Sequence, residues 1–115
     1  MSPASTGCAS TAITAEYANI FNATAVRIGQ IQLRYSTACR TVWGRIIEFA
    51  QDPGQASVHR NSDGRTYACN NPTWSSSLGA YSCYTAMVYD AQVTSSAGGI
   101  IEENQTFFTA RTSSY

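Results

Sequence analysis

Ile31-Gln32-Leu33-Arg34-Tyr35-Ser36-Thr37-Ala38-Cys39-Arg40-Thr41-Val42-Trp43-Gly44-Arg45-Ile46 reads as a strand, a short turn, a cysteine and a second strand, with the rest of the chain supplying partners. Ile31, Leu33 and Tyr35 alternate with Gln32, Arg34 and Ser36, the period of two expected of a strand with one buried face. Upstream, Val26 and Ile28 hold the opposite phase, so the alternation slips at Gly29-Gln30. A slip needs a bulge or a tight Gly-Gln hairpin. Asn22-Ala23-Thr24 already supplies a reversal, which favours a bulge in one long, bent strand. Downstream, Thr41, Trp43, Ile47 and Phe49 share one phase and Val42, Ile46 and Ala50 the other, as in a strand covered on both sides. The same apolar residues also fit helical spacing, with Asp52-Pro53-Gly54 as a stop. The β-branched residues and Gly44 favour strand over helix across 39–50.

Working outward, residues 1–10 are small and polar, a coil anchored by Cys8, and 11–115 form a single β domain. Ile13, Ala15 and Tyr17 alternate with Thr14 and Glu16 in a strand running to Phe21. Asp52-Pro53-Gly54-Gln55 is a turn. Ala56–Arg60 and Arg65–Cys69 make a hairpin around Asn61-Ser62-Asp63-Gly64. Asn70–Gly79 reads as a long polar loop in which Trp74 and Leu78 must fold back to be buried. Ala80–Val93 alternates throughout and reads as one strand. Thr94–Gly99 reads as a turn because of its Gly-Gly pair, 100–105 is ambiguous, and Thr106–Thr112 is a final strand. Short strands between turn signals in one small chain give an all-β fold, a small antiparallel sandwich or partly open barrel.

Composition narrows the class. The 115 residues suffice for one domain with a modest core. Charged residues are only 12% of the chain, and the formal net charge is zero, so attraction to nucleic acid is not expected. No apolar run is long enough to span a bilayer as a helix. All seven basic residues are arginine. Arg27, Arg34, Arg40 and Arg45 cluster in sequence, and the simplest expectation is that they lie along neighbouring aromatics or pair with turn acids. The alternative is an anion- or partner-binding face.

Four cysteines, Cys8, Cys39, Cys69 and Cys83, in a small charge-poor domain suggest two disulfides and an oxidising compartment. A zinc site is the alternative, but no pair has Cys-x-x-Cys spacing and His59 stands alone. Of the three possible pairings, locality favours Cys8–Cys39 and Cys69–Cys83. The first seven residues are too short and polar for a signal peptide, so secretion is expected of a mature chain that retains an initiator methionine.

Candidate chemistry is thin. The one histidine, His59, has no Gly-x-Ser-x-Gly elbow to serve. Glu48, Asp52, Asp63, Asp90, Glu102 and Glu103 are scattered, mostly in turns, and a glycosidase pair needs two carboxyls across a cleft. A pocket holding Glu48 or Asp90 beside His59 would favour an enzyme. No phosphate-cradling or calcium loop is present, and no cofactor or metal is expected. The remaining resource is aromatic: Trp74 and Tyr84 are the side chains best placed for exposure, and with Arg34 and Arg45 they make a candidate surface for a sugar or a protein.

The block Gly29-Gln30-Ile31-Gln32-Leu33-Arg34-Tyr35-Ser36-Thr37-Ala38-Cys39-Arg40-Thr41-Val42-Trp43-Gly44-Arg45 resembles the motif Gly-x-x-x-Leu-Arg-Tyr-Ser-x-x-Cys-x-x-x-Trp-Ala-Arg of the YjfA-like family of small bacterial secreted or surface domains, with Gly44 where alanine is usual. Gly7-Cys8-Ala9-Ser10-Thr11-Ala12 and Tyr84-Thr85-Ala86-Met87-Val88 extend the resemblance. It implies an all-β extracellular domain and brings no catalytic residues. The expected function is a secreted or cell-surface binding or structural module, with a protein or cell-envelope glycan as partner. A subunit of a larger extracellular assembly and a small secreted enzyme or inhibitor are the alternatives. Any binding site is expected on the Asn70–Gly79 loop or an exposed sheet face.

Overall fold

The computed structural model describes residues 2–115. Ten strands form two antiparallel sheets that face each other and do not close into a barrel. In chain order they are β1 (Ala12–Phe21), β2 (Arg27–Ser36), β3 (Thr41–Glu48), β4 (Gly54–Arg60), β5 (Thr66–Asn70), β6 (Thr73–Ser75), β7 (Ala80–Tyr84), β8 (Val88–Tyr89), β9 (Ser95–Glu103) and β10 (Thr106–Arg111). The six-stranded sheet runs β1-β2-β3-β7-β6, with β8 pairing β3 beyond the end of β7; the four-stranded sheet runs β10-β9-β4-β5.

The two strands of the central motif are β2 and β3, and they lie in the middle of the larger sheet. Ser36 pairs with Thr41 at the turn and Gly29 with Glu48 at the far end. Ile31, Leu33, Val42 and Ile46 point inward and meet Ala56, Val58, Ala97 and Ile101 of the smaller sheet in one buried cluster. Residues 41–48 are strand, as the β-branching indicated. The phase slip is a bulge in one continuous strand, placed at Ile28: Ile20 pairs with Gly29 and Phe21 with Arg27, so Ile28 is the extra residue.

The strand reading fails at three places, each for a local reason. Gly98-Gly99 sits inside β9 and is no turn. A Cβ on Gly99 would lie 2.9 Å from the Ile31 Cβ across the sandwich, so glycine here serves close sheet approach. Ala80–Val93 is not one strand. Opposite Trp43 and Gly44, the chain carries three residues, Thr85 to Met87, between the partners of Arg45 and Val42. The Gly44 N–H donates to the Thr85 side-chain oxygen (3.0 Å), and the Thr85 N–H donates back to the Gly44 carbonyl (2.9 Å). A hydroxyl thus replaces a ladder carbonyl, and alternation alone cannot register that substitution. Asn70–Gly79 contains β6, which pairs with β7; Trp74 and Leu78 do not fold back but stay exposed.

The N-terminal coil is more ordered than expected. Cys8–Thr11 form a 3₁₀ turn, and Cys8 packs with Trp43 and Met87 in a second buried cluster on the outer side of the large sheet. Both disulfides pair as locality indicated. Cys8–Cys39 ties this segment to the β2–β3 turn, and Cys69–Cys83 joins β5 to β7 and so links the two sheets. Replacing Cys69 and Cys83 by serine frees a closed loop of 14-residue separation and is expected to lower stability by on the order of 2–3 kcal/mol. Urea unfolding of the double variant checks this; an unchanged midpoint would show that strand pairing alone holds the sheet edges together.

Candidate functional site

The outward face of the large sheet is built by alternation. With Ile31 and Leu33 buried, Gln30, Gln32 and Arg34 of β2 must point out. The same logic turns Trp43 and Arg45 of β3, and Ser82 and Tyr84 of β7, to that side. Register then sets two cross-strand rows, Thr14–Arg34–Trp43 and Gln32–Arg45–Tyr84.

Hydrogen bonds fix the two arginines. The Arg34 Nη1 donates to the Thr14 hydroxyl (2.6 Å) and Nη2 reaches the Ala12 carbonyl (3.5 Å). Its Nε is buried without a partner. The Arg45 Nε donates to the Gln32 side-chain carbonyl (2.9 Å). Gln32 is held in turn by donating to Gln30 (2.7 Å), which donates to Asn19 (3.0 Å). This amide chain aims the Gln32 oxygen at Arg45 and leaves the terminal nitrogens of that guanidinium free of hydrogen bonds among the described residues.

The electrostatics differ from the sequence expectation. Among the described residues, the acid that pairs with an arginine is Asp63, and its partners are Arg60 and Arg65. Arg27 is the arginine over an aromatic, 5.0 Å from the Phe49 ring centre. Arg34 and Arg45 therefore neither pair with turn acids nor stack on rings. Both are partly withdrawn from water, and burial lowers the Arg34 pKa. Burial, with the like charge of Arg34 added, pushes Arg45 down to about 10. Both remain cationic at neutral pH, so two unneutralised positive charges lie side by side.

They line a small cavity of about 130 Å³ whose other walls are Pro3, Ala4, Ala9, Trp43 and Tyr84. The polar groups offered by these side chains are N–H and O–H donors. Past Tyr84 the surface opens into a groove of about 460 Å³, bounded by Arg45, Thr73, Ser75, Leu78, Ser82 and Tyr84. Tyr84 stands between the two and is 46% exposed.

Of the four side chains expected to make a surface, the structure brings together Arg34, Arg45 and Tyr84. Trp74 lines the groove with Arg45 and Tyr84 but not the smaller pocket. It pairs with Tyr81 in register and shares its phase, opposite to Tyr84, with the two rings edge-on at 5.2 Å. Trp43 and the N-terminal residues Pro3 and Ala4 were not foreseen. Their signal was weak: only Cys8 tied that segment to the motif, and nothing showed which face it would cover. His59, Glu48 and Asp90 are not brought together. His59 contacts the Thr66 hydroxyl on the outer side of the small sheet, Glu48 lies buried on the inner phase of β3, and Asp90 accepts a bond from Ser95 (2.7 Å).

These features define a disulfide-linked β-sandwich with a cationic, aromatic-flanked pocket on its larger sheet. Residues 1–98 match the family model described as a protein of unknown function, DUF2690, and the chain belongs to that family. It is also 35% identical over 95 residues to the uncharacterized protein YjfA of Bacillus subtilis (strain 168), an alignment that covers 77% of this chain and 60% of that protein. The chain thus spans about 60% of the relative's length. No solved structure gives a significant match.

Proposed function

We propose that the protein is an extracellular binding module whose ligand face is the Arg34–Arg45–Tyr84 side of the large sheet, and that its ligand carries an anionic group. The observation behind this reading is the pair of partly buried arginines with no carboxylate partner. Placing like charges together away from water costs stability, and an anion that accepts from both offsets that cost. Two disulfides fit an oxidising, extracellular setting, and no helix is long and apolar enough to cross a membrane. The dispersed positions of His59, Glu48 and Asp90 favour binding over catalysis.

Sulfate is the simplest probe. Titrated against chloride at constant ionic strength, it is expected to shift the backbone resonances of Arg34, Trp43, Arg45 and Tyr84, and Arg45→Gln is expected to abolish the response. The same variant should unfold within about 1 kcal/mol of the parent, because it removes a repulsion along with one hydrogen bond. A large stability loss with sulfate binding retained would make Arg45 structural and defeat the proposal.

A second reading, a subunit of a larger assembly, draws on β1. This ten-residue strand pairs only with β2 among the described residues, and a free edge is a template for another chain. A register break between Thr14 and Glu16 and the charge of Glu16 blunt that edge. Sedimentation equilibrium over a concentration series separates the two readings.

A further inference from the structure

We infer that the ligand of this face is an anionic saccharide, with its acidic group in the Arg34–Arg45 pocket, a sugar ring against Tyr84 and the adjoining units along the hydroxyl-lined groove toward β6. The inference rests on the binding-module reading and names its ligand class.

Three observations carry it. First, the pocket is small and its charged side chains are donors only. At about 130 Å³ it is smaller than a cavity that holds one six-membered ring, so the greater part of an oligosaccharide lies outside it. The Arg45 terminal nitrogens, free of hydrogen bonds among the described residues, and the Arg34 guanidinium edge that lines the cavity supply the charge-assisted bonds that an acidic group accepts. Second, the pocket and the groove share Arg45 and Tyr84, so a ligand that extends from one into the other passes the half-exposed Tyr84 ring. An exposed aromatic ring presents a flat apolar surface with a polar tip, which suits the C–H face of a pyranose. Third, the groove beyond is walled by the short hydroxyl side chains of Thr73, Ser75 and Ser82 with Leu78 at its rim. Ser82 already donates to the Ile46 carbonyl (2.6 Å), so its oxygen is held in place as an acceptor for a ligand hydroxyl.

The competing ligand is an acidic peptide, and the architecture disfavours it. Peptides added to sheets gain their affinity from main-chain bonds at a free edge. The acid-binding pocket lies on the flat of the sheet, where β3 is paired on both sides by β2 and β7 and its ladder groups are occupied. What the face offers is side-chain hydroxyls, the exposed rings of Tyr84 and Trp74 and two guanidiniums, which is the recognition chemistry of an acidic sugar.

The test uses the intact, disulfide-bonded chain, with resonance mapping and calorimetry. The probes are trigalacturonate, a sulfated trisaccharide, neutral maltotriose, triglutamate and inorganic sulfate. Trigalacturonate or the sulfated trisaccharide is expected to bind at least tenfold tighter than maltotriose and than triglutamate, and whichever is tighter identifies the acidic group. Shifts are expected at Arg45, Ser82 and Thr73. Tyr84→Ala should weaken the saccharide about tenfold and sulfate much less, while Tyr84→Phe, which keeps the ring, should retain most of the affinity. If triglutamate binds as tightly as either acidic sugar, or Tyr84→Ala weakens saccharide and sulfate equally, the saccharide inference fails while the anion-binding face stands. If sulfate and every acidic probe leave the Arg34–Arg45 resonances unmoved, the binding-module reading itself fails, and this inference with it.

Discussion

Trp43→Ala is expected to destabilise the protein by about 3–5 kcal/mol, the range for removing a large buried aromatic. The indole is 3% exposed although it sits on the outward phase of β3, because the N-terminal segment folds over it. Cys8 and Met87 are buried against it, with Ala12 and Cys39 at the margin, and Thr41 donates to the Met87 sulfur on the same side. The residue therefore closes a core separate from the one between the sheets. Removing it empties that core and leaves residues 3–11 held by the Cys8–Cys39 link and the Thr11–Ser36 hydroxyl contact (2.7 Å). Chemical unfolding should show the loss, and hydrogen exchange should show it concentrated in Ala9–Ala12 and β3. Since Pro3, Ala4 and Ala9 also wall the anion pocket, sulfate affinity should fall with the docking. A variant that stayed within 1 kcal/mol of the parent yet lost sulfate binding would reverse the assignment and make Trp43 a ligand contact.

Much of this architecture is legible in the amino-acid sequence, for specific reasons. The Ile31–Leu33–Tyr35 alternation placed the first motif strand and its inner face, and β-branching placed the second as a strand apolar on both phases, because period two is a direct consequence of strand geometry. Short sequence separation gave the disulfide pairing. The Asp63-Gly64 reversal was readable from turn chemistry, since Gly64 adopts φ 71°. Other features depended on contacts between distant segments. Gly98-Gly99 looks like a turn until Ile31 is known to press on it from the other sheet. Thr85 looks like one more strand residue until its hydroxyl is seen replacing a carbonyl. The hairpin between β9 and β10 turns on Asn104 and Gln105, both at positive φ (52° and 63°), a two-residue reversal without the glycine that usually announces it. For the candidate site, Arg34 and Tyr84 were readable as polar-phase strand residues, whereas the pairing of β3 with β7 that sets Tyr84 beside Arg45 was not. Nor was the arginines' lack of acidic partners, because whether an arginine finds a carboxylate is decided by which strands become neighbours.

Glu48 carries the second large effect, and its sign follows from burial. The side chain is 1% exposed, lies on the inner phase of β3, and both carboxylate oxygens lack a hydrogen-bond partner among the described residues. A Cβ on Gly54 would overlap the carboxylate, so a glycine at the start of β4 makes the room it occupies. Burial, followed by the like charge of Asp52, raises its pKa to about 7. An ordinary glutamate in the unfolded chain ionises near 4.3. Below that range both states hold the proton and the group is neutral in its effect. Between the two values the unfolded chain releases the proton while the folded chain keeps it, so stability falls as pH rises. Above about 7 both states are ionised and the penalty is complete, on the order of 3 kcal/mol. Glu48→Gln keeps the shape of the protonated acid and cannot ionise. It should match the parent near pH 4 and exceed it progressively up to pH 8, by roughly 3 kcal/mol there. Comparing parent and variant at each pH cancels the contribution of every other titrating group. The measurement is a series of denaturant midpoints across pH 4–8; parallel curves for the two proteins would mean that the carboxylate is solvated or paired in the folded state. The position is then informative in its own right. A carboxylate kept where neutral glutamine is more stable needs a reason other than stability, and its backbone pairs with Tyr81 of β7, the strand that presents Tyr84 to the ligand face.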